Sequence, residues 1–433
     1  MKLDDWLSLL EKRHPQAIDL GLERCGSVYE RMGCPRPANR VYTVAGTNGK
    51  GSTVSYLAAM SGSLGQTYGA FTSPHIFRFN ERISIMGNPV SDDTLIRAFE
   101  RVEEAREGIS LTYFEFTTLA GLFILNQSGL DCAVLEVGLG GRLDTVNLVD
   151  TDCAVITPIG LDHEEYLGSD LDSIAAEKAG VIRSGAPVVC TEPTPPLPIM
   201  QTADKLGAPL LRRGTDFDLV QHPDPSNDTL QFSLRDQSMP VAPPSMGGKH
   251  QRDNLAAALA ALATLNPGCM SKAGEISVAI RDCKVPGRLQ KVWSSPEIIL
   301  DVGHNALAAR VLAAYLEEKR QANTICVLAM LEDKPAEEVA LSMNHVCKHW
   351  LCADTTGPRG QSGKRLAERL KSVLPNFRVS DCGSVGEAMQ AALSSLEKQE
   401  TILVFGSFMT VSAAADWLKN SLQHSKHDTD RIT

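Results

Sequence analysis

The sequence predicts an α/β fold in two domains: a P-loop-containing N-terminal domain on a mostly parallel sheet, and a smaller, Rossmann-like α/β domain at the C-terminus. Three observations carry the prediction. The chain has 433 residues, more than one hydrophobic core usually organises. Between residues 41 and 61 a β-branched run, a glycine-rich turn and a helical pattern follow one another. From residue 298 on, strands alternate with helices, which implies parallel strands joined by right-handed crossovers.

The turn reads Gly46-Thr47-Asn48-Gly49-Lys50-Gly51-Ser52, after a strand at Val41–Val44 and before a helix from Thr53 to Ser61. Such a junction gathers backbone N–H groups at a helix N-terminus, where the dipole favours negative charge. Lys50 offers a point charge for phosphate oxygens, and Ser52 or Thr53 a hydroxyl for Mg²⁺. The spacing departs from the standard P-loop, because Gly46 lies three residues before Gly49 and Gly51 separates Lys50 from Ser52. The plain alternative is a structural glycine loop with a stray lysine; the flanking strand and helix weigh against it.

The totals narrow the function. A net charge of −10 argues against a nucleic-acid or anionic-membrane surface. The start, Met1-Lys2-Leu3-Asp4-Asp5-Trp6, carries acids where a secretion signal needs bases. The longest apolar run, Leu255 to Leu265, is far short of the roughly 18 residues of a membrane helix. Eleven scattered cysteines without a Cys-x-x-Cys pair read as small buried hydrophobes in a reducing, cytoplasmic compartment.

In order, Leu3–Arg13 reads as an amphipathic helix, and a second runs through Val28 and Met32. Pro35, Pro37 and Asn39 break the chain before the P-loop strand. Tyr68–Phe71 is a strand ending in Thr72-Ser73-Pro74-His75. The polar loop with Arg78, Asn80, Glu81 and Arg82 that follows lies beside the phosphate turn and so reads as functional. Ser91–Glu107 and Phe116–Leu125 are helices. Cys132–Leu135 is a buried strand that delivers Glu136 at its end, where an acid either holds Mg²⁺ or pairs with a base. The next strand, Cys153–Thr157, leads to Asp162-His163. Here a hydrogen-bonded structural histidine is as good a reading as a ligand, since Mg²⁺ prefers oxygen. By itself, the Glu177-Lys178 pair reads as a solvated helix face. Pro193 to Pro198 mark a boundary or insertion, and Phe217–Leu234, with Pro223 to Asn227 inside it, reads as hairpins at the sheet edge. The domains are expected at 1–288 and 298–433, with a linker at 289–297. The second domain has no Gly-x-Gly-x-x-Gly and is assigned no dinucleotide.

Taken together, these stretches resemble the folylpolyglutamate synthase family, of the Mur-ligase type. The resemblance rests on the glycine turn, Thr72-Ser73-Pro74-His75 and Glu136-Val137-Gly138-Leu139-Gly140-Gly141-Arg142-Leu143-Asp144. It continues through Asp162-His163, Glu177-Lys178-Ala179-Gly180, Pro286-Gly287-Arg288 and Asp301-Val302-Gly303-His304-Asn305. Ile18 to Arg24 and Leu111 to Glu115 suggest its bifunctional bacterial branch. One departure is Ala306, where the family often has proline; another is the approximate match around Asn254.

The resemblance implies ATP-dependent amide formation through an acyl phosphate, with ATP and two Mg²⁺ ions. It assigns ATP to Thr47, Asn48, Gly49, Lys50, Gly51, Ser52, Asn254, Arg288 and Asp301, and metal to Ser73, Glu136, His163 and a carbamylated Lys178. Lys50, Lys178 and His304 are the catalytic candidates. The pterin falls to Ile18, Asp19, Leu20, Thr112, Tyr113, Phe114, Glu115, Leu143, Asp144 and Thr145; L-glutamate falls to His304 and Ser407. The implied partners are small molecules only (dihydropteroate, folates, L-glutamate), handled by a monomer. The competing readings are a monofunctional polyglutamate synthase, a Mur-type cell-wall ligase and a nucleotide-driven switch. The Asp301 motif and the lack of a guanine-type Asn-Lys-x-Asp weigh against the switch.

Overall fold

A computed structural model describes the chain except residues 17, 35, 225–227, 320, 322, 398, 399 and 430–433, and except the side chains of 422–429. The expectations placed on Pro35, Pro225 and Asn227 lie outside the described residues. The chain forms two compact units. The first holds Met1–Ser245 and His250–Lys284; the second holds Met246–Lys249 and Val285–Thr433.

The first unit is built on eight strands: β1 (Arg40–Ala45), β2 (Tyr68–Phe71), β3 (Ile83–Ile85), β4 (Asn88–Pro89), β5 (Cys132–Glu136), β6 (Cys153–Ile156), β7 (Val188–Cys190) and β8 (Leu210–Arg212). Their order is β4-β3-β2-β5-β1-β6-β7-β8, with β2 through β8 parallel and the β3–β4 hairpin antiparallel at one edge. The central strand β1 is apolar on both faces and has Val41, Tyr42, Val44 and Ala45 buried, as a sheet covered by helices requires. Val44 lies opposite Glu136, so the P-loop and the strand-end acid leave the same sheet edge on neighbouring strands. Open parallel sheets bind ligands at that edge.

The hairpins expected at the sheet edge form a separate antiparallel sheet instead, β9 (Phe217–Gln221), β10 (Leu230–Leu234) and β11 (Gln237–Val241). Alternation buries Phe217, Leu219, Phe232 and Met239 on one face, which a hairpin on the main edge could not cover. The proline-rich stretch opens the helix Leu197–Lys205, with proline in its first turn.

In the second unit, β12 (Gln290–Ser294), β13 (Glu297–Leu300), β14 (Thr324–Leu328), β15 (Cys347–Cys352), β16 (Arg378–Asp381) and β17 (Thr401–Phe405) are ordered β12-β13-β17-β14-β15-β16. All neighbours are parallel except β12 and β13. Residues 289–297, read as a linker, therefore contain an edge strand. Its exposed Lys291, Trp293 and Ser294 gave no apolar pattern to see. All eleven cysteines are free, and only Cys382 is not fully buried. Among the described residues no helix is long and apolar enough to cross a membrane.

Candidate active site

The P-loop forms where β1 ends. Gly46 has φ 149° and Gly49 φ 88°, backbone that a side chain would strain. Space forbids one as well. A methyl at Gly46 would lie 1.8 Å from Thr157 Oγ1, and one at Gly49 2.3 Å from Asn254 Oδ1. Pro158 O accepts from the Thr47 amide at 2.9 Å, and Thr47 Oγ1 donates to Gly160 O at 3.0 Å, so the strand after β6 braces the loop. Gly49 caps the helix Lys50–Ser63 without any side-chain hydrogen bond. Its first-turn amides are thus left for an anion.

Two ammonium groups converge on one backbone oxygen. Lys50 Nζ donates to Gly46 O and Thr47 O, each at 3.1 Å, and Lys178 Nζ donates to Gly46 O at 3.1 Å. Lys178 is 3% exposed, so the solvated helix face expected for it is wrong; only Glu177 turns outward, to Arg142 at 2.7 Å. Burial, and then the Lys50 charge, pull the Lys178 ammonium down from 10.5 to about 7. Asp162, Asp144 and Glu177 oppose the shift.

Glu136 is 5% exposed, and its Oε2 accepts from the Ser73 amide at 3.3 Å, which joins two of the expected metal residues. His163 comes from the stretch that follows β6. It has φ 54° at the start of the helix Glu164–Leu167, and its Nε2 lies 3.9 Å from Asp162 Oδ1. Among the described residues no group of three or more His, Cys, Asp or Glu is arranged to hold a metal. That donor set fits Mg²⁺ carried in by a nucleotide, since Mg²⁺ commonly takes one or two carboxylates plus phosphate oxygens and water. Asn254 is buried against Gly49 and bonds Gln251 Oε1 at 3.1 Å, while Gln251 Nε2 reaches Ser52 Oγ at 3.2 Å. Gln251 was missed from sequence, although it sits one helical turn before Asn254.

The expected pterin residues divide into three groups. Asp19, Thr112 and Glu115 are joined through Arg24. Its Nη1 meets Asp19 Oδ2 at 2.7 Å, its Nη2 meets Glu115 Oε1 at 2.9 Å, and Glu115 with Thr112 forms a capping box on the helix Tyr113–Gln127. Tyr113 and Phe114 are aromatic walls: Tyr113 is edge-on to Phe79 and Phe114 edge-on to Phe71. Asp144 accepts from the amides of Leu139 and Val146 at 2.8 and 2.9 Å, and burial pushes its carboxyl up to about 6. Thr145 is buried, whereas Ile18, Leu20 and Leu143 are half-buried.

In the second unit, Asp301 ends β13 and accepts from the amides of Leu289 at 2.8 Å and Gly303 at 2.7 Å; burial raises its pKa and Arg288 opposes the rise. The Arg288 guanidinium lies 5.4 Å from the centre of the Phe408 ring. His304 Nδ1 meets Val302 O at 2.9 Å, and Asn305 caps the next helix through Ala308 N at 2.9 Å. Ser407 Oγ accepts from Thr410 N at 3.0 Å and lies 2.6 Å from Thr410 Oγ1.

Residues 44–262 match the model of the Mur ligase middle domain, and residues 287–408 that of the Mur ligase, glutamate ligase domain. The dihydrofolate synthase/folylpolyglutamate synthase of Escherichia coli is 39% identical over 412 residues, 95% of this chain and 94% of that protein. The Haemophilus influenzae protein of the same name is 37% identical over 429 residues, 95% of this chain and 96% of its own. The solved structure of E. coli FolC in complex with DHPP and ADP covers 97% of this chain and 98% of its own, with a TM-score of 0.87 and 37% identity. A Yersinia pestis bifunctional folylpolyglutamate synthase/dihydrofolate synthase complexed with AMPPNP and a Mn ion has the same coverage and TM-score at 38% identity. With this similarity running through both units, the chain belongs to the dihydrofolate synthase/folylpolyglutamate synthase family of Mur-type ligases.

Proposed function

We propose that this chain is an ATP-dependent ligase that joins L-glutamate to dihydropteroate and adds further glutamates to reduced folates. The observation that carries the reading is the convergence of Lys50 and Lys178 on Gly46 O, beside an uncapped helix N-terminus. The Lys50 cation beside the open helix N-terminus suits a polyanion whose charge grows as a phosphoryl group moves, and its closeness favours the neutral amine of Lys178. In this reading the P-loop amides and Lys50 hold the β- and γ-phosphates, with Ser52, Asn254, Arg288 and Asp301 completing the nucleotide site.

Ser73, Glu136, His163 and Lys178 would hold two Mg²⁺ ions, which when bound neutralise phosphate charge and align the attacking acid. With its pKa near 7, Lys178 keeps a neutral amine fraction at physiological pH. Addition of that amine to CO₂ forms a carbamate and releases one proton, converting the cation into an oxygen donor. The substrate carboxylate then attacks the γ-phosphorus, ADP leaves, and the glutamate amine displaces phosphate from the acyl phosphate. Half-buried aromatic walls at Tyr113 and Phe114 help keep water from that mixed anhydride. The pterin is assigned to Ile18 to Leu20, Thr112 to Glu115 and Leu143 to Thr145.

In this reading the pterin falls to residues of the first unit, and L-glutamate to His304 and Ser407 of the second. The net charge of −10 argues against a nucleic-acid partner, and the reading keeps to small-molecule substrates handled by a cytoplasmic monomer. The test is ADP release at fixed Mg²⁺, first with dihydropteroate plus glutamate and then with tetrahydrofolate plus glutamate. Release with both is expected; release with only the second would reduce the reading to a monofunctional polyglutamate synthase.

A further inference from the structure

Arg82 belongs to the polar loop beside the phosphate turn and has no role so far. It is 8% exposed, buried to a degree at which a charge is costly unless something receives it. Its one side-chain hydrogen bond to a described residue runs from Nε to His75 Nδ1 at 3.0 Å. The guanidinium lies 5.2 Å from the centre of the Phe79 ring and 5.5 Å from that of Tyr113, rings set at 87° to one another. These contacts fix the plane of the fork and leave both Nη groups without a hydrogen bond to any described residue. Neither Nη is among the fully enclosed, unpartnered atoms, so the open side of the fork faces accessible space.

Three observations relate Arg82 to the residues read as the site. The Arg82 carbonyl accepts from the Thr72 amide at 2.8 Å, which ties the residue to the turn carrying Ser73. Its charge is within electrostatic range of Glu136. And Tyr113, which flanks it, is one of the walls assigned to the pterin. A planar guanidinium with two free parallel N–H groups matches a carboxylate bidentately, whereas an ammonium does not.

We propose that Arg82 is the receiving fork for the carboxylate that the enzyme activates, a substrate-binding residue that aligns this acid beside Ser73 and Glu136. The proposal rests on the ligase reading above. In this account His75 is a positioning residue that accepts from Nε and holds the fork open.

The test is equilibrium binding, without nucleotide, of dihydropteroate and of its carboxamide to the wild type, Arg82→Gln and Arg82→Lys. The carboxamide keeps the ring system and removes the charge. The wild type should prefer the acid by about 10- to 100-fold, the worth of a bidentate charged pair. Arg82→Gln should bind the two nearly equally, with amide affinity and melting temperature close to the wild type. If Arg82→Gln fails to fold, Arg82→Lys decides, since it keeps the charge but loses the fork and should lose most of the preference. A variant that folds and retains the full acid preference overturns the proposal and leaves the ligase reading standing. A wild type that binds neither compound, and releases no ADP with dihydropteroate and glutamate, overturns both.

Discussion

Each unit turns a parallel strand into a helix through a glycine-containing loop, yet the two junctions are finished differently. At the first, β1 runs through Gly46–Gly49 into a helix whose N-terminus has no side-chain cap. The cations there lean on a loop carbonyl. At the second, β13 ends in Asp301, whose two oxygens accept from the amides of Leu289 and Gly303, and Asn305 caps the helix that follows. A helix start leaves its first amides without partners. Where side chains satisfy them, the turn is a rigid scaffold. Where nothing does and positive charge gathers, the turn is prepared for an anion. The first turn thus leaves its amides open to an anion, whereas the second holds its own amides and leaves recognition to side chains such as His304.

Substitutions at the two junctions should therefore differ in kind. The largest effect is expected from Lys50→Ala, with ligase turnover falling about 10³-fold at an unchanged melting temperature. Near-normal turnover would erase the distinction between the junctions. Next is Lys178→Ala, with a loss of about 10²-fold that added formate or acetate partly restores by supplying the missing carboxylate. No rescue at any carboxylate concentration would argue against the carbamate.

Gly49→Ala should cost about 2 kcal/mol of stability in chemical denaturation, because φ 88° is left-handed and Asn254 Oδ1 would lie 2.3 Å from the new methyl. Across the molecule, Asn305→Ala should cost about 1 kcal/mol, the usual worth of an N-cap. If the second loss equalled or exceeded the first, the P-loop would not be the strained junction.

A separate effect concerns pH. The folded Lys178 has its pKa lowered to about 7 from 10.5. Between those values the unfolded chain binds a proton that the folded chain does not, so wild-type stability rises with pH across that window. Lys178→Met removes this term. In CO₂-free buffer its melting temperature should exceed the wild type by most at pH 6, and the gap should shrink by pH 9. A gap independent of pH would mean that Lys178 is not the buried, downshifted amine described.

Local patterns made part of this readable in the sequence. The P-loop and Glu136 stand at the ends of short apolar runs, and strand ends on a parallel sheet define a ligand edge. Lys178 was harder, because two adjacent charges on a helix do not say which faces inward. Only the packed structure turns Glu177 to Arg142 and Lys178 to Gly46 O. Arg82 sat in a loop read as functional, but its burial depends on Phe79 and Tyr113, the latter distant in sequence. Gln251 acts on Ser52 across 199 positions, beyond any local pattern. Strand β12 escaped because an exposed edge strand need not alternate in hydropathy.

The central claim is that the uncapped turn, with Lys50, Lys178 and Glu136, receives the triphosphate and its divalent ion. The most direct measurement is a crystal of this protein grown with a non-hydrolysable ATP analogue and Mn²⁺, with the ion located by anomalous scattering. The triphosphate is expected on the amides of residues 47–52, with a manganese peak bonded to Glu136 and the Ser73 hydroxyl. A nucleotide bound elsewhere, or an ion with no contact to Glu136, would contradict it.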